Sequence, residues 1–470
     1  MDRDLISTHR PAVVTGERFG GLAVKRLIHF KFFRIFGSLQ ATIVFIRNEE
    51  ELMYGPVRLI RSKEISNYRN LEPVYEWKDR RAYLIIDKVL YQERPGAILC
   101  YHNPPVHQIG TTSLHAYHAG LDRVLKTRDE LEFLLLCGAN DPVHSGGDLK
   151  ESLAKLRESL DKKREKVSRG ASEEDIDRLF SWGERRLKKG VVLYEKIRNV
   201  ARAMRVVGLC GGGLRFGGSA EIPLMADYLI GDSRSGMCFS EAMIGIIPGW
   251  GGITRIMVKA GKINGEYMAK TARPVYAHSL ESIGVYNEVV EVPFSFPSKG
   301  KTGDPDKDGK RYNEALEEHN DNTAGILLPA ALHLAVLPKD EIPTKPKNEK
   351  EILATREEIS REVSRRVDPR NYSHLWGKTL KAVKKDIAAL GRPLAPQSIE
   401  AIDLLLNQYD ESEFDELQFA GKELEVDALL YRDPRFLEGL TALLDQRVPD
   451  FRFPGHPLQR ETSTRLRLWP

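Results

Sequence analysis

Two stretches decide how this chain is read: residues 217–221, Gly217-Gly218-Ser219-Ala220-Glu221, and residues 239–252, Phe239-Ser240-Glu241-Ala242-Met243-Ile244-Gly245-Ile246-Ile247-Pro248-Gly249-Trp250-Gly251-Gly252. The two glutamates stand 20 residues apart, each beside glycine-rich backbone. Upstream, a strand pattern, Leu134-Leu135-Leu136-Cys137-Gly138, runs toward a second turn, His144-Ser145-Gly146-Gly147-Asp148-Leu149. Glycine-rich turns that open helices leave N–H groups without intrahelical partners, and such groups hold negative charge. Glu221 falls in the first turn after Gly218, where the helix dipole favours a carboxylate. Glu241 follows the strand-like Met237-Cys238-Phe239. Taken alone, the first glutamate reads as a dipole partner and the second as a surface residue. The ordered set is the signal.

The chain has 470 residues, 41% of them hydrophobic, enough for a large core. Its net charge of +4 is set against 71 Lys/Arg and 67 Asp/Glu, which argues neither for nucleic acid nor for a membrane surface. The four cysteines, Cys100, Cys137, Cys210 and Cys238, are scattered without a CxxC pair. Three of them sit in strand-like apolar surroundings, as buried reduced thiols do. No apolar run reaches the roughly 18–20 residues of a membrane span. The N-terminus lacks the apolar core of a signal peptide. A cytoplasmic protein is expected.

The spacing predicts a buried strand at 97–102, an amphipathic helix at 112–126 and a strand at 132–137, a right-handed crossover unit. Residues 150–190 carry 13 Lys/Arg and 9 Asp/Glu and read as a charged, solvated helical insertion rather than a nucleic-acid surface. Val206–Cys210 reads as a strand and 219–227 as a helix. Residues 291–312 and 336–350 are rich in Pro, Gly, Lys and Asp and read as loops. Between them Thr323–Leu337 reads as an apolar helix, and 350–445 as helical throughout. The basic stretch Ala23–Gly37 reads as a helix or strand packed on the body. The expected divisions are an N-terminal extension (1–80), a core (81–295) containing the insertion 150–190, a linker or insertion (296–365), a helical C-terminal region (366–455) and a tail (456–470).

The Gly217–Glu221, Phe239–Glu241, Gly245–Gly252 and Ser145–Leu149 motifs together resemble the enoyl-CoA hydratase/isomerase (crotonase) family. The resemblance runs from about Arg94 to Val290 and resumes at Arg432–Gly439 and Arg447–Phe451. It implies an α/β crotonase fold, a spiral core of repeated ββα units, with a helical C-terminal region making trimer contacts. It further implies an oxyanion hole from the N–H groups of Ser145 and Gly218, and coenzyme A held at Ser145, Gly146, Gly147, Asp148, Leu149 and Gly218. Glu221 and Glu241 would share acid–base work on an acyl-CoA thioester. A thioester reacting at its α-carbon builds charge on its carbonyl oxygen, and two N–H donors stabilise it. Two-glutamate relatives activate water with one acid and move the α-carbon proton with the pair. The leading expectation is hydration or dehydration of an α,β-unsaturated acyl-CoA. Ring-opening hydrolysis or cleavage of a cyclic oxo-acyl-CoA and enoyl-CoA isomerisation are the alternatives, and a non-catalytic or RNA-binding protein of this fold ranks below them. No separate cofactor, metal, membrane or nucleic acid is expected; a homotrimer or homohexamer is. The final helix is expected over a neighbouring subunit's site.

The sequence departs from the family pattern at several points. His107 stands where asparagine is usual, Ser219 for a glycine, Ser240 for a proline and Gln446 for a lysine that contacts coenzyme A. Ser145 and Gly218 lie 73 residues apart, well beyond the usual spacing. Arg215 and Phe216 are bulkier or more charged than usual. A cyclic, aromatic or polar acyl group fits these changes. Other signals are weaker. Asp304–Gly309 resembles the start of a calcium loop, but Ala315 occupies its twelfth position, so an acidic turn is expected. His115 and His118 share a helix face without acids or cysteines nearby. His102, His107 and His144 flank the site and read as loop packing.

Overall fold

The computed structural model describes residues 31–35, 38–42, 68–79, 82–103, 108–138, 146–172, 174–175, 178–293 and 305–452. The chain divides into two units. The first, Met1–Pro56 with Ser298–Ala315, includes an antiparallel hairpin of β1 (Lys31–Ile35) and β2 (Ser38–Thr42), with Ile35 opposite Ser38. The basic stretch Ala23–Gly37 thus supplies a strand; its other residues lie outside the described ones.

The second unit, Val57–Pro297 with Leu316–Pro470, is built on a seven-stranded sheet. An antiparallel meander, β3 (Tyr68–Asp79), β4 (Ala82–Tyr91) and β5 (Arg94–His102), leads into parallel β6 (Phe133–Gly138), β7 (Arg205–Cys210), β9 (Tyr228–Asp232) and β12 (Glu288–Val290). A small second sheet holds β8 (Leu214–Phe216), β10 (Gly236–Cys238) and β11 (Val275–Tyr276). The expected crossover is present: β5, helix α1 (Thr111–Lys126) and parallel β6. Two more helices, α2 (Leu149–Ser168) and α3 (Ser181–Ala203), separate β6 from β7.

The ββα repeat positions the glutamates. Strands β7 and β8 lead into α4 (Gly218–Leu224), while β9 and β10 form the next turn of the spiral. Strand β9 lies parallel to β7, and β10 parallel to β8 with Cys238 beside Phe216. The Gly217 N–H donates to the Cys238 carbonyl at 3.1 Å. The residues after β8 and after β10 are therefore neighbours, and the 20-residue spacing is one repeat of the spiral.

Alternation along β6 splits its side chains between two cores, as the period-2 geometry of a strand requires. Leu134 and Leu136 join the core on the side of α1, α3 and the C-terminal helices. Phe133, Leu135 and Cys137 face the other side, where they meet Leu327, Leu328, Ala331, Leu332 and Ala335. Those residues belong to α8 (Pro305–Val336), which follows α5 (Gly252–Ala260), α6 (Lys262–Thr271) and α7 (Ala277–Ser282). Arginines at two strand starts bind the end of α8: Arg94 donates to the Val336 carbonyl at 2.6 Å, and Arg205 to the Leu334 carbonyl at 3.0 Å. Cations at a helix C-terminus also complement its dipole.

Several expectations need correction. Residues 305–312, read as loop, open α8, since proline is compatible with the first turn of a helix. The supposed acidic turn is therefore helical from Pro305; Asp304 lies outside the described residues. The stretch 350–445 is not continuous helix. It is α9 (Arg356–Val367), α10 (Lys384–Leu390), α11 (Pro396–Asn407), α12 (Glu416–Leu430) and α13 (Pro434–Leu444). Gly391, at φ 80°, ends α10, and prolines open α11 and α13. The solvated-helix reading holds for α2, whose surface carries pairs such as Lys162–Glu158 at 2.7 Å. It fails for the part of α3 inside that stretch, which buries Arg186 and Leu187.

Helix α8 is a load-carrying cover for the sheet rather than a linker. Leu332 is fully buried there. Leu332→Ala is expected to lower unfolding stability by about 2–5 kcal/mol, the range for buried large-to-small changes; urea denaturation followed by circular dichroism checks it.

Candidate active site

Glu221 and Glu241 line one cavity of about 700 Å³, part of it open to solvent. Gly146, Gly147 and Leu149 form one side, Phe216, Gly217 and Gly218 the next, and residues 244–250 a third. Glu221 projects from the first turn of α4 and is 3% exposed. Its Oε1 accepts the Trp250 N–H at 2.9 Å and the Gly252 N–H at 3.2 Å. Burial pushes its pKa up to about 7, against the pull of those two N–H groups. Glu241 opens a short turn after β10 and is 8% exposed. Its Oε2 has no hydrogen-bond partner among the described residues. Burial, and then the nearby Glu221 and Asp427 charges, raise its pKa well above the carboxylate range. The two acids are thus unlike: one is held by backbone N–H groups, the other is left in a dry wall. Environments that push paired carboxyls apart suit acid and base roles.

Glycine is required where the walls meet. Gly217 has φ 50°, and a Cβ there would lie 2.3 Å from Glu241 Oε1. Gly146 has φ 101°, and a Cβ there would lie 2.7 Å from the Phe216 carbonyl oxygen. The Gly218 N–H, at the first position of α4, has no intrahelical acceptor and opens beside the cavity. Trp250 packs so close that a Cβ on Gly218 would come within 2.6 Å of its ring.

Of the other expected site residues, Gly146, Gly147 and Leu149 line the cavity and Asp148 does not. The Asp148 carboxylate caps α2, accepting the Glu151 N–H at 2.9 Å. Ser145, His107 and His144 lie outside the described residues. Phe216 lines the cavity, whereas buried Arg215 lines a second, smaller one with Tyr117 and Cys137 and donates to the Leu209 carbonyl at 3.3 Å. His118 Nε2 lies 2.9 Å from the Lys189 carbonyl, a packing contact. No group of three potential metal ligands occurs among the described residues. No described helix is long and apolar enough to cross a membrane.

The fourth wall was not anticipated. Asp427 and Tyr431 from α12, Phe436 and Leu443 from α13, and Arg186 from α3 all line the cavity. The C-terminal helices therefore line this chain's own site, where the expectation had set the final helix over a neighbour's; Asp433 caps α13 directly after α12, which keeps the two together. Asp427 Oδ1 accepts the Ile247 N–H at 2.9 Å, and burial raises its pKa well above the usual range. A signal was present. Glu423 and Asp427 fall in the helical stripe of Phe419, Ala420, Val426 and Leu430, where buried acids are rare.

Residues 188–293 match the family model described as Enoyl-CoA hydratase/isomerase. The chain is 22% identical over 199 residues to the peroxisomal bifunctional enzyme of Danio rerio, covering 42% of this chain and 23% of that protein. It is 21% identical over 195 residues to the glyoxysomal fatty acid beta-oxidation multifunctional protein MFP-a of Brassica napus, covering 41% of this chain and 23% of that protein. The chain thus spans under a quarter of the length of these curated relatives. Among solved structures, an enoyl-CoA hydratase from Rhodobacter sphaeroides 2.4.1 aligns with a TM-score of 0.44 at 15% identity, over 85% of this chain and 96% of that one. The matched segment holds both glutamates and the whole Gly217–Gly252 motif, set on the ββα spiral described above. Over residues 188–293 the chain is a member of the enoyl-CoA hydratase/isomerase (crotonase) family, distant from those known.

Proposed function

We propose that this protein adds water across, or removes it from, the double bond of an α,β-unsaturated acyl-CoA thioester. The observation that carries the reading is the pairing of two unlike buried carboxyls in one cavity, Glu221 with its two N–H partners and Glu241 with an unpartnered oxygen. The thioester carbonyl would take the Gly218 N–H and, by family resemblance, the Ser145 N–H, so the charge of the enolate is stabilised as it develops. Ionised Glu221 takes a proton from water as the oxygen attacks the β-carbon. Protonated Glu241, the acid of higher pKa, delivers its proton to the α-carbon. The net change is one water added. The turn at Gly146, Gly147 and Leu149 would hold the coenzyme A portion. A homotrimer or homohexamer belongs to the same reading, and light scattering in solution checks it. So does a cytoplasmic location; the relatives' names place those proteins in peroxisomes and glyoxysomes, and imaging of the tagged chain decides between them.

Turnover of linear and cyclic enoyl-CoA thioesters, followed by mass spectrometry, tests the proposal. One water gained with any ring intact is the expected product. Two waters gained with ring opening would replace hydration by ring hydrolysis. No turnover of any thioester would sink the enzymatic reading. Glu221→Gln and Glu241→Gln are each expected to lower kcat by on the order of 10²–10⁴-fold, the range for a positioned acid or base.

The pH profile follows from the same assignment. Glu221 works ionised, so kcat/KM is expected to fall as pH drops through about 7. Glu241 works protonated, and its pKa is raised further, so the alkaline limb lies above the acid one. A kcat/KM flat from about pH 5.5 to about 8 would contradict the role given to Glu221, whose carboxyl is pushed up to about 7.

A further inference from the structure

Asp427 is the third acid of the cavity and has no part in the water-addition steps above. It is 1% exposed, and its side chain takes one hydrogen bond among the described residues, from Ile247 N–H to Oδ1. Its other oxygen lies over Gly249, where a Cβ would come within 2.5 Å of Oδ2, and Gly249 itself lines the cavity. A side chain at Gly249 would collide with that oxygen. Nearby, Glu241 Oε2 is also unpartnered and more than nine-tenths buried. Three buried carboxyls in one cavity cannot all ionise, since like charges in a medium of low polarity repel strongly. With Glu221 as the ionised member, Glu241 and Asp427 keep their protons, and a donor facing the cavity is a costly arrangement without an acceptor. Much of the remaining wall is apolar, Leu187, Ile244, Ile246, Ile247, Phe436 and Leu443; its polar members are Ser152, Ser240 and Arg186, and Arg186 donates to Ser152 Oγ at 2.7 Å and to the Ile109 carbonyl at 3.0 Å. Tyr431, one helical turn from Asp427, also lines the cavity.

We propose that Asp427 sets the acyl specificity of the cavity: its Oδ2–H donates a hydrogen bond to a keto or hydroxyl oxygen carried by an otherwise apolar acyl chain. The inference rests on the acyl-thioester reading above and narrows it to oxygen-bearing acyl groups. Asparagine is the informative substitution. Its amide oxygen can accept from Ile247 N–H and its NH₂ can donate into the cavity, reproducing a neutral carboxyl; leucine can do neither.

Equilibrium binding of hexanoyl-CoA and its oxo-substituted positional isomers, by calorimetry, tests the idea without relying on turnover. Wild type is expected to bind at least one oxo isomer roughly tenfold more tightly than hexanoyl-CoA, the worth of one good hydrogen bond. Asp427→Asn is expected to keep that ratio and Asp427→Leu to bring it close to one, both variants first shown folded by thermal unfolding. Equal binding of all isomers by wild type, or a ratio unchanged in Asp427→Leu, would overturn the proposal while leaving the thioester reading in place. Loss of the ratio in Asp427→Asn as well would also overturn it, because a neutral donor would then not suffice. If a folded wild type binds none of the thioesters, the acyl-CoA reading itself fails and this inference falls with it.

Discussion

A single buried carboxylate oxygen ties the site together. Glu221 Oε1 receives the N–H groups of Trp250 and Gly252 and so fixes the loop that follows Glu241 against the start of α4. That loop carries Trp250, whose ring fills the space left by two glycines; a Cβ would come within 2.6 Å of it at Gly218 and 2.1 Å at Gly190. Helices α3 and α4 can approach the loop only because those positions have no side chain. Asp427 holds the other end of the same loop through Ile247 N–H. The acids of the cavity are therefore structural fasteners as well as candidate reactants. Truncating one of these side chains would also remove a hydrogen-bond acceptor from buried backbone.

This double duty explains the unequal electrostatics. Backbone N–H groups stabilise a carboxylate, so Glu221 keeps its pKa near neutrality despite full burial. Glu241 lacks a partner for one oxygen and sits beside two other acids, so its proton is retained much more firmly. The difference arises from where the fold supplies free N–H groups, not from the residue type. Glu423 carries the logic into the packing layer: it binds the Thr254 N–H at 2.6 Å and supports the first turn of α5.

The face of the cavity that carries both glutamates was legible in the sequence because its parts are local. Gly217 to Gly252 runs from α4 through the next two strands of the spiral, and a fixed register turns that spacing into proximity. The strand–helix–strand unit around α1 was legible for the same reason, since period and length agree there. The roof was not. Asp427 lies 180 residues beyond Ile247, its hydrogen-bond partner, and sequence spacing carries no information about such a pairing. Asp148 fits a ligand-binding motif and an N-cap equally well in sequence, and the hydrogen bond to Glu151 N–H makes it a cap. Residues 305–312 were misread because Pro, Gly, Lys and Asp mark loops on average, yet proline also begins helices.

A roof made by α12 and α13 also gives the site a history during synthesis. Glu221 and Glu241 leave the ribosome about 200 residues before Leu443, which at roughly 5–20 residues per second is on the order of 10–40 seconds. Through that interval the floor can fold while the space above it stays open to water. Closure of that space, and with it the exclusion of solvent, waits for α12 and α13 to dock.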